Sequence, residues 1–81
     1  MLEITGSAEE VLRRAYDAAQ RFNPDAKIRV YRLGATIETG FTDVPEPDDE
    51  TISLEEMILY VESGIEGTLD TTERHDRLIV R

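Results

Sequence analysis

Leu2 and Ile4 alternate with Glu3 and Thr5, the period-two pattern of a short half-buried strand, and Gly6 ends it. From there the period lengthens. Val11, Leu12, Ala15, Tyr16, Ala19 and Phe22 fall on one stripe of a helix predicted from about Ala8 to Phe22. Ser7 and Glu10 are spaced as a capping box, Glu9 and Glu10 complement the positive end of the helix dipole, and Asn23-Pro24 stops the helix. The period then returns to two. Ile28 and Val30 alternate with Lys27, Arg29 and Tyr31 in a second strand, Gly34 marks a turn, and Thr36–Thr42 reads as a third strand. Residues 43–50 (DVPEPDDE) hold two prolines and predict a loop. Residues 51–54 and 57–61 flank Glu55-Glu56 as a tight hairpin, and the apolar run Met57–Val61 predicts a central strand covered on both faces. Residues 68–72 and Leu78–Val80 predict closing strands around the polar connection Glu73 to Asp76. The expected fold is a single α+β domain over residues 1–81, mainly β: one N-terminal helix packed on a small mixed or antiparallel β sandwich or barrel. Leu12, Phe22, Ile28, Val30, Ile37, Ile52, Leu59, Val61, Leu69 and Ile79 are its expected core.

At 81 residues such a domain buries only about 60% of its unfolded surface, and small folds without covalent staples often gain stability by self-association. The 18 acidic and 9 basic side chains leave a net charge of −9, a field that repels phosphate backbones and anionic lipid, so neither nucleic acid nor membrane is an expected partner. The first residues carry no basic segment followed by an apolar run, which predicts a cytoplasmic protein. There is no cysteine, so disulfides, thiolate metal sites and cysteine nucleophiles are all excluded.

The densest chemistry lies in the acidic loop. Asp43, Glu46, Asp48 and Asp49 supply the hard oxygens that a divalent cation takes, but the glycine of a calcium-binding turn is missing and two prolines stiffen the backbone. These four are the metal candidates, with a solvated acidic face as the plainer interpretation. His75, the single histidine, stands in a charged turn with Glu73 and Asp76; with Asp70 these are the only residues on which an acid–base enzyme would be built, and no nucleophile is signalled beside them. The adjacent pairs Glu9/Glu10 and Glu55/Glu56 are explained by capping and turn exposure, and the glycines form no phosphate-binding pattern. No catalytic residue and no cofactor are expected.

The order of elements carries one resemblance. Ile4-Thr5 leads into Ser7-Ala8 and a helix, Ile28-Arg29-Val30 enters the second strand, and Phe41-Thr42-Asp43-Val44-Pro45-Glu46-Pro47-Asp48-Asp49 forms an aromatic-x-Asp-x-Pro-x-Pro-acidic segment. Thr51-Ile52 with Ile58–Glu62 supplies a hairpin, and Gly67-Thr68-Leu69-Asp70 a strand start. Together these resemble the HesB/IscA-like family of iron–sulfur biogenesis proteins over almost the whole chain. Cluster-carrying members have a cysteine in the loop after the second strand and a Cys-Gly-Cys pair near the C-terminus; the first would fall within residues 32–35, and no cysteine is present. Soft thiolates hold such clusters, so the resemblance implies the fold without the ligand function. The expected function is that of a divergent, non-enzymatic interaction or accessory protein linked to iron–sulfur assembly, with a protein partner or a second copy as its contact. The alternative is a small binding module that takes a hard metal ion or a small molecule through the acidic loop.

Overall fold

The computed structural model describes residues 2–55, 57–72 and 77–81. These form one helix and seven strands in the order β1 (Leu2–Ile4), α1 (Gly6–Gln20), β2 (Lys27–Leu33), β3 (Thr36–Thr42), β4 (Glu50–Leu54), β5 (Met57–Val61), β6 (Gly67–Thr71) and β7 (Leu78–Val80). The architecture is α+β and mainly β. Two mixed sheets, ordered β3-β2-β5-β4 and β1-β6-β7, pack as an open sandwich and do not close into a barrel.

Two hairpins build the larger sheet. β2 and β3 pair antiparallel without interruption from Lys27↔Thr42 to Leu33↔Thr36, and Gly34 turns the chain with a φ of 62°, where a side chain would be strained. β4 and β5 pair from Glu50↔Val61 to Leu54↔Met57. A parallel pairing joins the hairpins, with Ile28 opposite Leu59 and Val30 opposite Val61. In the smaller sheet β1 lies parallel to β6, and β7 returns antiparallel.

Alternation along β2 and β5 sends Ile28, Val30, Met57, Leu59 and Val61 to one face, where they meet Leu2, Ala8, Leu12, Ile65 and Leu69. Helix and small sheet thus share one side of the large sheet. The opposite face stays open: Ile58 is 46% exposed and Tyr60 half-buried. β5 is central in its sheet, as its apolar run predicts, yet only one of its faces is covered.

The helix is displaced from its expected span. Thr5, with extended backbone at φ −75° and ψ 160°, is the N-cap, and its hydroxyl oxygen accepts from the Ala8 amide at 3.2 Å. β1 therefore feeds the helix directly, and Ser7 is released for other bonds. The helix ends at Gln20, where the Phe22 and Asn23 amides both reach the Ala19 carbonyl. Phe22 falls beyond the last turn and is 91% exposed, outside the core in which its spacing had placed it. Ile79 also stands at the surface, on the outer side of the short edge strand β7. Leu12, Ile28, Val30, Leu59, Val61 and Leu69 are buried as expected, with Ile37 and Ile52 packed partly against them. Among the described residues no helix is long and apolar enough to cross a membrane.

Candidate functional site

Arg29 occupies the centre of the open sheet face because its neighbours Ile28 and Val30 point into the core. The acidic loop folds back over it. The guanidinium donates from Nε to Asp49 Oδ2 at 2.7 Å and from Nη2 to Asp49 Oδ1 at 2.8 Å, a bidentate fork. The Glu46 amide adds a bond to the same carboxylate at 3.2 Å, and the Asp49 amide returns one to the Glu46 carbonyl at 3.1 Å. Glu62 stands 3.8 Å from the guanidinium. The Asp49 side chain is only 2% exposed and that of Arg29 17%. The Arg29 hydrogen bonds hold the Asp49 carboxyl below its ordinary range despite the burial, and the Arg29 guanidinium is correspondingly raised.

This arrangement determines what the loop is able to bind. Of the four metal candidates, Asp49 is committed to Arg29, while Asp43, Glu46 and Asp48 lie exposed on the loop. Among the described residues no group of three or more histidine, cysteine, aspartate or glutamate side chains is placed to hold a metal ion. Oxygens that face solvent separately do not make the multidentate cage a hard cation takes.

A second polar cluster ties the helix start to β6. Asp70 Oδ1 accepts from the Thr5 hydroxyl at 2.9 Å, the Thr71 amide at 2.8 Å and the Ser7 hydroxyl at 3.4 Å, while Oδ2 faces the Arg81 guanidinium at 3.1 Å. The buried Thr71 hydroxyl donates to Ser7 at 3.1 Å. The Thr71 amide, then the Thr5 hydroxyl, hold the Asp70 carboxyl low. Together these bonds unite Thr5 and Ser7 at the helix start with Asp70 and Thr71 at the end of β6 and with Arg81, residues far apart in the chain whose signal in the sequence was only their polar side chains. His75, Glu73 and Asp76 lie outside the described residues.

Two depressions mark the surface of the large sheet, one at its end beside the helix and one on its open face. The first, of about 440 Å3, is lined by Tyr16, Lys27, Ser53, Leu54, Met57, Ile58 and Tyr60. It forms where the β4–β5 hairpin passes beside the helix, and among the described residues no carboxylate and no imidazole lines it. The Lys27 ammonium at its rim donates to the Asp25 carbonyl at 3.0 Å. The hydroxyls of Tyr16 and Tyr60 make no hydrogen bond among the described residues. A second depression, about 220 Å3, lies between the end of β3 and the acidic loop, among Arg29, Tyr31, Gly40, Phe41, Val44 and Glu46. Among the described residues neither depression brings together an acid, a base and a nucleophile. The first is apolar surface edged by phenol and ammonium groups, suited to receiving side chains, and the second sets the Tyr31 ring and Phe41 beside the Arg29 guanidinium and the Glu46 carboxylate.

Comparison with protein-family models, with curated proteins and with solved structures finds no significant match to this chain.

Proposed function

We propose that this chain is a non-enzymatic interaction domain of the HesB/IscA-like type, acting as an accessory to iron–sulfur assembly and not itself carrying a cluster. The observation that carries the reading is the 440 Å3 depression around Ile58, an apolar hollow at the end of the large sheet between Tyr16 of the helix and Tyr60 of β5. Exposed apolar surface of this kind marks contact sites, and tyrosine is enriched in them. Support for the family comes from the layout: a strand, an N-capped helix, a strand pair, an acidic proline-containing loop and a hairpin follow in the order on which the resemblance rests. The absence of cysteine removes the soft ligands that a cluster takes. The partner that fits is a protein with an apolar side chain at the centre of its contact and basic groups around it, matching the net charge of −9.

Titration calorimetry with a cysteine-bearing HesB/IscA-like protein tests the reading. Binding is expected, and Ile58→Asp or Tyr60→Ala should weaken it at least tenfold, about 1.4 kcal/mol, without changing the circular dichroism of the free chain. The absence of association, or equal binding by both variants, refutes it. A visible absorption band after incubation with ferrous iron and sulfide would refute the non-carrier part.

A further inference from the structure

β3 is the long free edge of this fold. It has seven residues, whereas the edges of the smaller sheet, β1 and β7, have three each. Natural edge strands of this length are normally blunted by lysine, proline or a bulge. β3 has none of these: its register with β2 is unbroken, and Glu38 is its single charged side chain.

The direction of its free hydrogen-bonding groups follows from the turn. Leu33 and Thr36 flank a two-residue loop, so they form a mutually hydrogen-bonded pair, and antiparallel pairs alternate from there. Thr36, Glu38, Gly40 and Thr42 therefore bond β2, while Ile37, Thr39 and Phe41 turn their amides and carbonyls outward. Those outward groups bond no other backbone among the described residues.

We propose that β3 pairs antiparallel with β3 of a second copy about a two-fold axis at Thr39, extending the four-stranded sheet to eight strands. A symmetric pairing must match outward groups with outward groups and one face with the same face, and among such registers those centred on Glu38, Thr39 or Gly40 keep most of each strand paired. Centring on Glu38 would set two carboxylates opposite each other. Centring on Gly40 would place Ile37 against Asp43 of the partner subunit. Centring on Thr39 places Ile37 against Phe41 of the partner subunit twice over and leaves no like charges opposed. Phe41, 56% exposed, beside a small gap among Leu12, Ala15, Ile28 and Leu78, would be covered by Ile37 of the partner subunit.

The other face is equally self-complementary. The Tyr31 ring lies over Gly40, where a Cβ would stand 3.3 Å from Cε1 and 3.4 Å from the hydroxyl oxygen, so the phenol reaches the sheet edge. Neither that hydroxyl nor the Glu38 carboxylate has a hydrogen bond or ion pair among the described residues. In the Thr39-centred register Glu38 of the partner subunit sits opposite Gly40, next to this hydroxyl. The β2–β3 hairpin also carries Lys27, Arg29 and Arg32 against Glu38 alone, so the least acidic part of the chain meets its copy. An edge contact of this size lies at or below the low end of stable interfaces, roughly 1,200 Å2, so the dimer is weak and depends on concentration. This inference is independent of the function proposed above, which uses the other half of the sheet.

Sedimentation equilibrium of the unmodified chain over a concentration series tests it. A monomer–dimer equilibrium is expected, and dimerisation should strengthen several-fold between about 0.05 and 1 M salt as repulsion between like-charged copies is screened. Thr39→Pro removes one outward amide and no bond to β2, so it should weaken dimerisation at least tenfold while circular dichroism and thermal midpoint stay near those of the parent. Thr39→Cys, on the axis, should oxidise to a disulfide-linked dimer; Glu38→Cys, offset by about 8 Å from its copy, should not. A monomer at every concentration and salt, a dimer unaffected by Thr39→Pro, or cross-linking through Glu38→Cys in place of Thr39→Cys would each overturn the proposal. A dimer lost in Ile58→Asp but kept in Thr39→Pro would put self-association on the other half of the sheet, and would overturn it as well.

Discussion

The Arg29–Asp49 pair decides whether the acidic loop is part of the folded structure or a solvated appendage, and Asp49→Asn separates the two. At an effective dielectric constant near 20, charges about 4 Å apart attract by about 4 kcal/mol before desolvation is subtracted. Removing one partner of a fully buried pair costs about 3–5 kcal/mol, because the other charge is left uncompensated. Here Asp49 is nearly inaccessible, but Arg29 keeps 17% of its surface and has Glu62 at 3.8 Å as a second carboxylate. The expected loss is therefore about 2–3 kcal/mol, which in a domain of this size lowers the thermal midpoint by about 10–20 °C. Urea and thermal unfolding followed by circular dichroism at neutral pH measure it. The pH dependence gives a second readout. The Asp49 carboxyl is held low in the folded state, so its contribution is complete above the unfolded value of about 3.9 and is lost as pH falls through the folded value. Asp49→Asn should flatten that acid limb, leaving the part carried by Asp70, which is depressed in the same sense. A loss under about 0.5 kcal/mol together with an unchanged acid limb would show the pair behaving as an exposed ion pair, and would refute the reasoning.

Three further outcomes are open to the same unfolding assays. Leu59→Ala, at a fully buried position between β2 and β4, should cost about 2–5 kcal/mol, and a smaller loss would mean that the core collapses to fill the gap. Phe22→Ser should change stability by less than about 0.5 kcal/mol, because the ring lies beyond the helix end; a loss typical of core residues would return it to the interior. Gly67→Ala should destabilise by more than an ordinary surface change, since Gly67 has a φ of 122° and a Cβ there would run into the Arg81 carbonyl; a neutral result would show that β7 shifts freely.

The local pattern was enough for the parts of this fold that depend on neighbours in sequence. The two hairpins, the span of β3 and the acidic loop are where alternation, Gly34 and the prolines put them, because turn chemistry and period act over a few residues. The α+β class followed from the same reading. The long-range matters did not. Both parallel pairings join strands far apart in sequence, and no local signal encodes which strands will meet. The helix start was misplaced for a related reason: Ser7 and Glu10 satisfy the capping rule, but pairing of β1 with β6 holds the chain extended up to Thr5, whose amide bonds the Leu69 carbonyl, so the helix begins at Gly6 and Thr5 caps it. Phe22 followed the helical period, but the period says nothing about where the last turn lies. The acidic loop shows the division best. Its composition was plain in the sequence, while the commitment of Asp49 to a guanidinium on β2 depends on the loop folding back over the sheet, a decision made by tertiary packing and desolvation.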